Sequence, residues 1–136
     1  YGTDEMDMVL PQADYLVLAL PNTPETKGIL SAEKIEKVKP GAFIVNVGRG
    51  GAICQEALIR ALQEGRLAGA GLDVTDPEPL PASSPLWKMP NVIITSHTSG
   101  FSAGNWSRHA QLIQENLARY VEGKGLLNMV DFNKKY

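Results

Sequence analysis

The chain has 136 residues, 43% of them hydrophobic and 21% charged, with a formal net charge of −2. That is enough chain and enough apolar content for one real core, and the unclustered basic residues exclude an electrostatic footprint for nucleic acid or an anionic membrane. No apolar run reaches membrane-spanning length, no signal-peptide pattern is visible, and the single Cys54 offers neither a disulfide nor a metal spacing, which points to a reducing, cytoplasmic setting.

In chain order, residues 1–12 have the character of an arriving loop and a short helix. Tyr15 to Leu20 (YLVLAL) is a continuous apolar run that ends at Pro21-Asn22-Thr23-Pro24, a loop by its prolines. Ser31 suits a helix N-cap, with Leu30 and Ile35 placed as a hydrophobic staple around it. That helix extends to about Val38 and is stopped by Pro40-Gly41.

Ala42 to Val47 then forms a short β-branched, apolar run of the kind buried in a parallel sheet. It stops at Gly48-Arg49-Gly50-Gly51. Three of these four residues lack a Cβ, so the loop backbone can approach a ligand closely. The only side chain it presents is a guanidinium, forked to grip a carboxylate or phosphate at two points. A permanent cation at the end of a buried strand points to an anionic substrate.

Gln55 to Glu64 is a helix with Leu58, Ala61 and Leu62 on one face and Gly65 as its stop. Leu67 to Val74 is a third strand, and Asp76 to Pro81 is too rich in proline for regular structure. After a turn at Pro85-Leu86-Trp87, Val92 to Thr95 is a fourth strand that closes on Ser96-His97-Thr98-Ser99-Gly100. From about Ser102 to Glu122 runs a long amphipathic helix with Trp106, Ala110, Ile113, Leu117 and Tyr120 on one side. A polar tail with a short apolar patch, Leu126 to Val130, ends the chain.

This alternation means an α/β fold with a parallel sheet, whose ligands sit outside the carboxyl ends of the strands. Arg49, Asp73 and His97 fall at, or just past, three of those ends, and Pro21 marks the fourth. Three different chemistries at three strand ends constitute a site. The duller alternatives are a surface arginine closing a turn, a strand-end histidine bonded to backbone, and an aspartate capping the turn after it. Glu78, held between two prolines, is either a solvated loop carboxylate or an orienting one. Thr26 is either a turn residue or a phosphate or ribose contact. Asp76 is expected in solvent, His109 in a structural or exposed position, and Trp87 and Trp106 in packing.

Four ordered motifs carry a resemblance over roughly residues 10 to 130: Leu-Pro-Asn-Thr-Pro-Glu-Thr (20–26), Val-Asn-Val-Gly-Arg-Gly-Gly (45–51), Gly-Leu-Asp-Val-Thr-Asp-Pro-Glu-Pro-Leu-Pro (71–81) and Pro-Leu-Trp-Lys-Met-Pro-Asn-Val-Ile-Ile-Thr-Ser-His (85–97). The chain resembles the D-isomer-specific 2-hydroxyacid dehydrogenases, a group that includes D-lactate, hydroxypyruvate, glyoxylate and 3-phosphoglycerate dehydrogenases. The resemblance implies the second half of a Rossmann-type doubly wound sheet in residues 1–104, without the glycine-rich loop of its first half. Residues 105–136 would be the long helix and tail that, in relatives, return to the substrate domain.

It implies that Arg49 holds the substrate carboxylate and carbonyl oxygen, that His97 is the acid/base, and that Glu78 is its carboxylate partner, in contact through a ring nitrogen. Leu20, Pro21, Thr26, Val47, Gly48, Arg49, Asp73, His97 and Gly100 would lie along NAD or NADP. No metal is implied, and the intact parent is expected to be a homodimer acting on a small 2-keto or 2-hydroxy acid. The chemistry agrees: a hydride must come from a nicotinamide, a proton from a group titrating near neutrality, and a carboxylate beside an imidazole favours its protonated form.

The sequence departs from the family pattern in several places. It has no G-x-G-x-x-G, so it has the look of a fragment of a larger enzyme, with one sheet edge and an apolar face left for another segment or chain. Cys54 stands where the family has a helix-capping aspartate, Ser96 where a proline often precedes the histidine, and Phe101-Ser102 where a threonine-containing turn is commoner. Glu78 disfavours the formate dehydrogenases, which carry glutamine there. The same fold serves corepressor-type modules that sense NAD(H), and a fragment can be inactive alone; both remain alternatives to the enzyme.

Overall fold

The structure is a computed structural model that describes residues 3–133. These residues fall into two compact units, one through Thr98 and one from Ser99 onward.

The first unit opens with a 3-10 turn, Thr3–Glu5, and a single helical turn, α1 (Met6–Val9). The four strands β1 (Tyr15–Leu18), β2 (Phe43–Asn46), β3 (Gly69–Leu72) and β4 (Val92–Ile94) follow, all parallel and in sequential order in one sheet. Each is shorter than its apolar run. Hydrophobicity continues past the last ladder bond, as at Ala19 and Leu20, which follow β1 without pairing.

Helix α2 (Ala32–Lys37) joins β1 to β2, and α3 (Gln55–Gln63) joins β2 to β3. The Ser31 hydroxyl caps α2 by accepting from Lys34 N, and Leu30 and Ile35 beside it are fully buried. Right-handed crossovers stepping in one direction put both helices on the same face of the sheet. There Leu18, Ile44, Ala70 and Leu72 form one core with Ile35, Leu58, Ala61 and Leu62. Lys37 Nζ on α2 donates to Asp7 Oδ2 on α1 at 2.5 Å. That bond is the main reason the Asp7 carboxyl lies below its ordinary range and the Lys37 ammonium above its own.

The opposite face carries Tyr15, Val17, Phe43, Val45, Gly69, Gly71 and Ile93 by strand alternation. Tyr15, Val17 and Ile93 on it are exposed, and the Tyr15 and Phe43 rings, partners in register, stack with centroids 5.3 Å apart.

The second unit is α4 (Asn105–Val121) with its flanking loops. Gly104, at φ 77°, precedes it in the left-handed conformation that glycine adopts freely. The apolar stripe is present but buries nothing: α4 has no buried residue, and Ile113, Leu117 and Tyr120 are all exposed. Trp106 and Trp87, expected in packing, are 77% and 53% exposed. Trp106 meets the exposed His109 edge-on, and Trp87 donates its indole N–H to Pro81 O at 2.9 Å.

Candidate active site

The register places Leu18, Asn46, Leu72 and Ile94 side by side at the carboxyl ends of the four strands. The ladder runs on past them, with Val47 N bonded to Leu18 O, Asp73 N to Asn46 O, Thr95 N to Leu72 O and His97 N to Asp73 O. The residues after each strand therefore share one rim, and Arg49, Asp73 and His97 leave the sheet there.

Arg49 sits in a loop built from the inside. Asn46, the last residue of β2, is fully buried. Its side-chain amide donates to Arg49 O at 2.9 Å while its carbonyl accepts from Gly48 N at 3.1 Å. The loop is wedged between its neighbours: a Cβ at Gly48 would stand 2.7 Å from both Leu20 N and Leu20 O, and one at Gly50 would fall onto the Thr75 carbonyl. Gly50–Ala52 then makes a 3-10 turn that leads to α3. The Arg49 side chain is exposed, and one arm donates to Gly48 O at 2.8 Å. Nothing in the apolar reading of β2 singled out Asn46; a polar residue ending an otherwise apolar strand was the available signal.

His97 and Glu78 meet. Nδ1 of the imidazole lies 3.0 Å from Oε1 of the carboxylate, with the side chains 44% and 39% exposed. An ionised carboxylate only accepts, so in this bond Nδ1 is the donor, and Nε2 takes no part in it. Glu78 arrives on the loop after β3, where the Thr75 hydroxyl donates to Pro77 O at 3.0 Å and Gln55 Oε1 accepts from Asp76 N at 3.1 Å. Asp76 itself is exposed.

His97 has φ 56°, in the left-handed region. Asp73, buried to 5% exposure, surrounds this turn: its backbone carbonyl takes His97 N at 2.9 Å, and its Oδ1 takes Thr98 N at 2.9 Å and the Thr95 hydroxyl at 2.5 Å. Thr95 is a second residue that sequence reasoning passed over.

The remaining candidates are more scattered. Leu20 and Pro21 follow β1, half-buried and exposed respectively, and Val47 follows β2, exposed. The Thr26 hydroxyl donates to Pro21 O at 2.6 Å and accepts from Thr23 N at 2.9 Å, so it staples its own loop. Gly100 belongs to the second unit, in open space ahead of α4. Among the described residues no cluster of His, Cys, Asp or Glu could hold a metal ion, and no helix is long and apolar enough to cross a membrane.

Three comparisons bear on these features. A family model for the D-isomer specific 2-hydroxyacid dehydrogenase NAD binding domain matches residues 1–99. A D-isomer specific 2-hydroxyacid dehydrogenase from Xanthobacter autotrophicus Py2, solved with NADPH and MES, is 39% identical with a TM-score of 0.90, over 99% of this chain and 55% of that one. An NADPH-dependent glyoxylate/hydroxypyruvate reductase from Sinorhizobium meliloti, solved with NADP and sulfate, is 33% identical with a TM-score of 0.89, over 100% of this chain and 44% of that one. An uncharacterized protein in the proB 3′ region of Corynebacterium melassecola is 44% identical over 131 residues, 96% of this chain and 43% of its own length. The chain thus spans about half of the proteins it matches. With a sheet, a strand-end rim and a family model in agreement, this chain belongs to the D-isomer specific 2-hydroxyacid dehydrogenases, and its residues 1–99 match their NAD-binding domain.

Proposed function

We propose that this chain is the nicotinamide-facing half of a dinucleotide domain, and that the intact enzyme interconverts a 2-keto acid and a D-2-hydroxy acid. The observation that supports it best is the His97–Glu78 pair, on the same strand-end rim as the Arg49 loop. In this reading residues 1–104 belong to the dinucleotide domain and 105–136 return to the substrate domain, in a cytoplasmic homodimer.

The residues present suit a dinucleotide in part. Pro21 and Val47 offer exposed apolar edges and Arg49 a cation, with Leu20, Thr26, Gly48, Asp73 and Gly100 completing the proposed path. The 136 residues contain no G-x-G-x-x-G to hold the pyrophosphate. When bound, NAD(H) or NADP(H) exchanges the hydride that no side chain supplies. Arg49 grips the substrate carboxylate with its fork and leans on the carbonyl oxygen as negative charge develops there. His97 passes the Nε2 proton to that oxygen, while Nδ1–H stays on Glu78, which holds the ring and steadies the imidazolium before transfer.

The test is the intact enzyme with NADH or NADPH and glyoxylate, hydroxypyruvate or pyruvate. Turnover of at least one acid, with the Arg49→Gln variant reduced by roughly 10²-fold or more, is the expected result. Tight dinucleotide binding with no turnover of any of them would leave a sensing module instead.

A further inference from the structure

The left-handed backbone of His97 is an outlier that needs an explanation. A non-glycine residue there is strained and persists only where its surroundings over-determine it, even though histidine tolerates the region better than most residues. The surroundings are bonds that converge on one buried aspartate. Thr95 is fixed to β3 by its own amide, which donates to Leu72 O at 3.0 Å. Its hydroxyl donates to Asp73 Oδ1 at 2.5 Å, and a hydroxyl donating to a carboxylate makes a stronger bond than one between neutral groups. The same oxygen takes Thr98 N at 2.9 Å, and the Asp73 backbone takes His97 N at 2.9 Å. Two successive amides, one on each side of the His97 side chain's origin, therefore converge on a residue whose carboxylate is oriented by Thr95. At the far end of the set the imidazole reaches Glu78.

We propose that Thr95 is a positioning residue for His97. By locking the Asp73 carboxylate it holds the 97–98 turn left-handed, which aims the imidazole at Glu78 and leaves Nε2 free for substrate. Thr95 touches neither substrate nor dinucleotide in this role. The inference rests on the reading of His97 as the acid/base, and the test separates the two.

Thr95→Val keeps the β-branched shape and removes the hydroxyl; Thr95→Ser keeps the hydroxyl; Thr95→Ala covers the case in which valine does not fold. In the intact enzyme, Thr95→Val or Thr95→Ala should lower kcat by roughly 10²-fold, the scale of a misplaced catalytic group. KM for the acid should change less than kcat, and the limb of the pH–rate profile that disappears in His97→Asn should move. Thr95→Ser should recover most of the rate and the original profile. Wild-type kcat and pH profile in the hydroxyl-free variants would overturn the proposal, and so would equal loss in Thr95→Ser. If His97→Asn abolishes turnover while Thr95→Val does not alter it, this inference alone fails; if His97→Asn keeps full activity, the acid/base reading fails and takes the inference with it.

Discussion

The side-chain amide of Asn46 donates to the backbone carbonyl of Arg49 at 2.9 Å, so a fully buried polar group at the end of β2 shapes the loop that presents the guanidinium. The same side chain accepts from Gly48 N at 3.1 Å, and the two bonds fold the loop around it. Replacing Asn46 by Leu keeps the volume and strands a buried N–H and a carbonyl. Leaving buried groups unsatisfied costs about 1–3 kcal/mol each, so Asn46→Leu should lose on the order of 2–4 kcal/mol in urea unfolding. A loss below about 0.5 kcal/mol would show that the loop does not depend on Asn46.

The glycines of this region are not equivalent. A Cβ at Gly50 would fall onto the Thr75 backbone carbonyl, which cannot swing aside, whereas one at Gly71 would meet only the Val45 methyl groups at 3.8 Å. Overpacking against backbone costs typically 1–3 kcal/mol or more, while alanine within a strand removes some of glycine's entropic penalty. Gly50→Ala should therefore lower the melting temperature clearly and Gly71→Ala should leave it unchanged or raise it. The reverse order would refute this account of the loop.

Much of the fold was legible because its signals are local. Apolar runs, the Ser31 cap and glycine or proline stops locate all four strands and the three longer helices. The rim followed, since a parallel sheet gathers its strand ends; the contact of Glu78 with His97 was implied only by the family resemblance, and the two side chains do meet. Three features needed coordinates. The strands are shorter than their apolar runs because the paired register, not hydropathy, sets their bounds. Thr95 acts through Asp73 on another strand end, which no spacing in the chain reveals, and Asn46 bonds its own loop, where only its polarity at the end of an apolar strand marks it. The stripe of α4 predicts an amphipathic helix correctly, yet a stripe says nothing about what it covers, and here it buries no residue.

Cys54 occupies the N-cap of α3 with extended backbone angles, φ −70° and ψ 92°, and makes no side-chain cap bond. The geometry is ready for an oxygen acceptor. Cys54→Ser or Cys54→Asp should add about 1 kcal/mol by bonding a free amide of the first turn, with aspartate gaining further from the helix dipole. Denaturant unfolding reads this directly; a loss of stability with both residues would mean that the thiol's packing matters more than the cap.

The Asp7–Lys37 bridge joins α1 to α2, and both side chains are about half exposed. Lys37 lowers the carboxyl's pKa through their hydrogen bond, and Asp7 raises the ammonium's in the same way. The depressed carboxyl contributes stability that is present above its unfolded pKa and lost as pH falls through the folded one. The raised ammonium contributes stability that is present below its unfolded pKa and lost as pH rises through the folded one. Between those limits Asp7→Asn should melt slightly below wild type, and the difference should disappear in acid and shrink with added salt. A difference that survives at pH 2 would point to packing rather than charge.

Glu78 offers the sharpest test of the site. Its Oε1 lies 3.0 Å from His97 Nδ1, with both side chains partly exposed. Glu78→Gln keeps the shape, and its amide can still accept from Nδ1–H through its oxygen, so the ring orientation is preserved. What goes is the negative charge beside the imidazole. A charged acceptor makes a stronger bond to Nδ1–H than a neutral amide oxygen does, so the ring is held less firmly in Glu78→Gln. The intact enzyme should lose kcat in both reaction directions, with KM for the acid changing less, because the pair acts on the reacting step rather than on substrate binding. Steady-state kinetics in the two directions measure this. Wild-type kcat in both would mean that Glu78 does not serve His97, even at hydrogen-bond distance.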